Sequence, residues 1–137
     1  MNESTQGIDR HGLDAEFVAD EVVKSNLIVE GQLLNDQHQP DLAADRFAQA
    51  AEIEERLSQQ CKSAGLNEKS WLHLFSAASC WARAGNFHEA ICLGEELLAQ
   101  EQLLPRLRQQ IQEFTETLRQ RRIKWAAGLA LMSGAKD

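Results

Sequence analysis

Residues 67–98 read NEKSWLHLFSAASCWARAGNFHEAICLGEELL. Trp71, Leu74, Phe75, Ala78, Trp81 and Ala82 recur at intervals of three and four, the spacing of one helix face. Gly85 then offers a left-handed stop, and after Asn86 the residues Phe87, Ala90, Ile91, Gly94, Leu97 and Leu98 repeat the pattern. Asn67 and Asn86 stand where side-chain N-caps are wanted. The spacing therefore predicts two helices joined by a tight turn. No stretch of the chain alternates apolar and polar residues as a half-buried strand does.

The same reading extends in both directions. Asp14 is placed to cap a first helix whose Phe17, Val18, Val22, Ile28, Val29, Leu33 and Leu34 give a broad apolar side as far as about Asp36. Residues 35–39 read as a turn, and Pro40 suits the first turn of a second helix, where its missing N–H has no intrahelical acceptor. The stripe Ala43, Phe47, Ala50, Leu57, Cys61, Ala64 carries that helix to Gly65. Its length is about 25 residues, or about 37 Å. Beyond Leu104 and Pro105 a fifth helix places Leu107, Ile111, Phe114 and Leu118 on one seam, which continues through Arg121 to Trp125. The expected fold is all-α with about five helices. The expected division is a disordered segment at 1–13, one helical domain at 14–125, and a tail at 126–137 that reads either as a last helical turn or as disordered.

The whole chain has 137 residues, 43% hydrophobic and 26% charged, with eight Gly and two Pro. A chain of this length buries enough surface to hold a core without disulfides or a structural metal. Cys61, Cys80 and Cys92 are an odd set with no Cys-x-x-Cys pair, which favours reduced thiols in a cytoplasmic protein. The start of the chain lacks the features of a secretory signal. The longest apolar stretch, 125–132, is too short to span a bilayer. The net charge of −7 is uneven: residues 1–60 carry −9 and residues 101–137 carry +3. An acidic body disfavours general nucleic-acid binding. The cluster Arg119, Arg121, Arg122, Lys124 suits RNA, an acidic lipid surface or an acidic partner, and equally a solvated helix end.

Two segments resemble the tetratricopeptide repeat. The first runs Leu27, Glu30, Gly31, Leu34, then Ala43 and Phe47; the second runs Leu74, Ala77, Ala78, Trp81, then Ala90 and Gly94. Small residues at Gly31, Ala43, Ala78 and Ala90 permit close helix approach. Glu30 and Gly94 depart from the repeat's pattern, its closing proline is absent, and equivalent positions lie 47 residues apart against about 34 in the family. An unrelated five-helix bundle is the competing architecture. The resemblance covers roughly residues 24–104. It implies antiparallel hairpins stacked as a right-handed solenoid, with the fifth helix as a C-terminal cap.

What the resemblance implies for function is a non-enzymatic adaptor or chaperone-like module that holds a partner protein or peptide in a groove. Its lining would be Ser25, Ile28, Gln32 and Asn35 from the first repeat, and Leu72, Phe75, Ser79 and Arg83 from the second. Ile28, Leu72 and Phe75 make that face apolar, and Arg83 stands ready for an acidic group. The alternative for Leu72 and Phe75 is inward packing. A second function class is a self-associating subunit, a homodimer for example, that uses the fifth-helix seam.

Catalytic and metal readings are weaker. His88 and Cys92, and His73 and Cys80, each share a helix face, but no third group orients them. Glu52, Glu54, Glu55, Glu95 and Glu96 read as solvated faces, and the glycines form no phosphate-cradling loop. Neither cofactor nor metal is expected.

Overall fold

A computed structural model describes residues 13–134, which fold into five helices with no strand among them. They are α1 (Ala15–Asp36), α2 (Pro40–Ser63), α3 (Asn67–Arg83), α4 (Phe87–Leu98) and α5 (Pro105–Gly134). Local chemistry accounts for most of the boundaries. The Asp14 carboxylate accepts the Phe17 N–H at 2.9 Å, and the Asn86 side chain accepts the Glu89 N–H at 3.2 Å. Pro40 opens α2. Gly65 and Gly85 take φ of 79° and 83° in the turns after α2 and α3. Asn67 is not a cap: it is the first residue of α3, and Leu66 occupies the cap position without a side-chain bond. Leu66 instead packs against the core of Leu13, Phe17 and Leu57, so burial fixes this helix start.

Successive helices run antiparallel. Asp20 pairs with Arg56 and Glu30 with Arg46 along α1 and α2, while Ser58 meets Ser70 and Glu54 meets His73 along α2 and α3. Glu95 pairs with Arg119 between α4 and α5. The major packing is between sequence neighbours throughout. Alanines fill the close approaches: Ala50, Ala51, Ala77, Ala78 and Ala90 are fully buried. A Cβ at Gly31 would stand 2.9 Å from the Phe47 ring, and one at Gly94 would overlap the Thr115 methyl. These two glycines set how near α1 lies to α2 and α4 to α5.

The structure refines the sequence reading at three points. Leu13 is 3% exposed, so the packed body begins one residue before 14; residues 1–12, where disorder was expected, lie outside the described residues. The broad apolar side of α1 is only partly buried. Phe17 is enclosed, and Leu27 and Ile28 pack against the core, but Val18, Val22, Val29 and Leu33 are 45–56% exposed because α1 has neighbours on one side only. Finally, residues 126–134 continue α5 as helix, while 135–137 lie outside the described residues.

Candidate functional site

Helices α1, α3 and α5 point the same way, since each is separated from the next by one antiparallel helix. A groove lies across α3 between them. Asn35 from α1, Ser79 and Arg83 from α3, Phe87 at the start of α4, and Phe114 and Arg121 from α5 line it. On α3, Leu72, Phe75, Ser79 and Arg83 share one face by helical spacing. On α5, Gln110, Phe114, Thr117 and Arg121 do the same.

The eight expected groove residues have different surroundings. Asn35, Ser79 and Arg83 come together in this groove. Ser25 and Gln32 are exposed on α1, and Leu72 is 55% exposed on α3. Ile28 is half-buried against Ala50, Ala51 and Cys80. Phe75 is also half-buried: its ring meets Phe114 edge-on at 5.3 Å and packs on Leu107 and Ile111. It is thus part of the contact that seats α5. The Arg83 guanidinium lies 5.4 Å from the Phe47 ring centre, and that of Arg121 lies 5.7 Å from Phe87. Two guanidiniums, each over an aromatic ring, stand beside Phe114 and Leu118 with Glu113 in the same lining, and suit an acidic group carried on an apolar segment. Sequence reasoning missed the α5 contribution because it treated that helix as a cap. The 110, 114, 117, 121 spacing was the available signal.

A buried polar cluster lies where α1, α2 and α3 meet. Glu54 is 1% exposed; its Oε1 is 2.7 Å from His73 Nδ1 and its Oε2 is 3.4 Å from Lys24 Nζ. His73 Nε2 is 3.9 Å from Glu21, and the ring meets Phe17 edge-on. The Ser58 and Ser70 hydroxyls each lie 2.8 Å from the other's backbone carbonyl, and the Trp81 indole donates to Glu55 at 2.6 Å. This corrects the reading of the glutamates as wholly solvated: Glu52 is exposed, Glu55 is half-buried and Glu54 is core. Its physical basis is that both Glu54 oxygens have a partner from another helix, His73 on α3 and Lys24 on α1.

Burial, reinforced by the Glu54 carboxylate, pushes the Cys80 thiol up to about 11, so it stays protonated and unreactive near neutrality. Cys92 is exposed, with Sγ 3.6 Å from His88 Nε2. The two His/Cys pairs do not assemble a metal-holding cluster, and none of three or more His, Cys, Asp or Glu occurs among the described residues. In a thiol titration of the folded protein, one fast-reacting group is expected, lost in Cys92→Ser; Cys61 and Cys80 should react only on unfolding. Because the Cys80 ionisation is raised in the folded state, its contribution to stability is intact below about pH 9 and declines as the pH rises toward 11. Urea melts of wild type and Cys80→Ala across that range would check this, the alanine variant losing that part of the slope.

Among the described residues no helix is long and apolar enough to cross a membrane. No described protein family, curated protein or solved structure matches this chain.

Proposed function

We infer that the chain is a non-enzymatic interaction module, an adaptor or chaperone-like protein of the cytoplasm, that binds a helix or peptide of a partner protein in the groove formed by α1, α3 and α5. In this reading the helices form tetratricopeptide-like hairpins, with α5 standing where a third pair would begin. The observation that carries it is the grouping of Asn35, Ser79 and Arg83, drawn from two helices, with Phe114 and Arg121 of a third. Phe87, Phe114 and Leu118 supply apolar contact among polar neighbours that include two arginines and Glu113, so an apolar anchor with an acidic group at the arginine end fits the groove.

The test is capture of partners from source-cell lysate on immobilised wild type, Ser79→Arg and Asn35→Arg. Both substitutions fill the groove from partly or fully exposed positions, so stability should stay within about 0.5 kcal/mol of wild type by urea melting. Partners identified by mass spectrometry should be lost from both variants. Retention of the same partners by both would overturn the groove reading.

A further inference from the structure

Beyond Arg121, which lies over Phe87, the second half of α5 packs on nothing among the described residues. Leu107, Ile111 and Leu118 form its buried seam, but from Arg121 onward every residue bar Gly128 is exposed as far as Met132. The seam itself does not stop: Trp125, Leu129 and Met132 continue it at spacings of four and three, and they are 66%, 45% and 68% exposed. Ile123 and Leu131 add apolar surface on the other sides. Such an all-round apolar helix end is a surface normally covered. Helix α1 shows a second uncovered face. Val18, Val22, Val29 and Leu33 fall within a narrow arc at 100° per residue, turned away from α2.

We propose that the free end of α5 is an arm that docks on the outward face of α1 in a second copy of this chain. Charge selects this pairing. The arm carries Arg121, Arg122 and Lys124, with no acidic residue from 117 to 134. Of the charges on α1, Asp20, Glu30 and Lys24 are paired with Arg56, Arg46 and Glu54 of α2, which leaves the acidic Glu16, Glu21 and Asp36 and no basic residue. Arm against arm in parallel would oppose like charges, whereas arm against α1 joins opposite ones. The arm, about 21 Å long at 1.5 Å per residue, fits within the roughly 33 Å of α1. The arm runs on from the body as continuous helix, so that of its residues only Arg121 comes near its own α1, at Asn35. Reciprocal docking closes a two-fold dimer and buries each surface twice, toward the roughly 1,200–2,000 Å² of a stable interface. An anionic bilayer would attract the arm but repel the rest of a chain whose net charge, arm included, is −7.

The experiment is sedimentation equilibrium of the full chain over a wide concentration range, with far-UV circular dichroism as the check on folding. Wild type should be a dimer that weakens as salt rises. Trp125→Glu/Leu129→Glu and Val22→Glu/Val29→Glu should each weaken it by roughly 100-fold or more while keeping helicity. An equimolar mixture of the two variants should form a mixed dimer, because one intact arm then meets one intact α1. A wild type that stays monomeric overturns the proposal, including one that sediments with phosphatidylserine vesicles. A dimer that survives Val22→Glu/Val29→Glu overturns the α1 assignment. The groove reading fails separately: Ser79→Arg leaves this dimer intact whatever it does to partner capture.

Discussion

Gly94→Ala is expected to destabilise the protein by about 2–3 kcal/mol, the cost of overpacking a tight contact. In an open helix interior the same change would stabilise by about 1 kcal/mol, since alanine is the better helix former. The sign therefore reports the α4–α5 contact. A Cβ on Gly94 would run into the Thr115 methyl, and Thr115 cannot swing clear cheaply because it is buried and its hydroxyl donates to the Ile111 carbonyl at 3.0 Å. Helix α5 must move outward, loosening Ile111 and Leu118 together. Thr115→Ser removes only the obstructing methyl and keeps the hydroxyl. The double variant should recover most of the loss in a urea melt. A double variant no more stable than Gly94→Ala alone would mean that the glycine acts through something other than this contact.

Glu54→Ala should cost about 3–5 kcal/mol, as removing one member of a buried charge network does. The carboxylate holds His73 and Lys24 at once, so its loss leaves two polar side chains facing a small cavity beneath Phe17. The informative comparison is the triple variant Lys24→Met/Glu54→Leu/His73→Phe, which replaces the network with apolar volume. It is expected to melt near or above wild type, because the desolvation cost of three polar groups disappears with them. Chemical denaturation of both variants checks the pair of expectations. If the triple variant is as unstable as Glu54→Ala, the network contributes by more than mutual compensation.

Most starts and stops of the helices could be read from sequence because their causes are local, the start of α3 at Leu66 being the exception. Asp14, Pro40, Gly65, Gly85 and Asn86 each act within a few residues. The α2 stripe was equally legible: Ala43, Phe47, Ala50, Leu57 and Cys61 are all buried at helical spacing. Helix α1 was not, since apolar residues lie on several of its sides and the inward face is chosen by Gly31 meeting Phe47, a contact across two helices. Glu54 sits at the same three- and four-residue intervals from Ala50, Ala51 and Leu57 that mark the core, so its burial was within reach. Its chemistry argued otherwise until His73 and Lys24 were placed beside it. On the groove, the α3 positions followed from one helix's periodicity. The α5 positions required knowing that α5 lies alongside α3, which no local spacing encodes.

Packing confined largely to successive helices also has a kinetic meaning. Each hairpin closes over a short loop, so little chain entropy is lost before native contacts reward it. Low contact order of this kind places refolding in the microsecond-to-millisecond range. A chain that folds this quickly can complete its body before two copies meet, which leaves any association at α5 as a slower, concentration-dependent step.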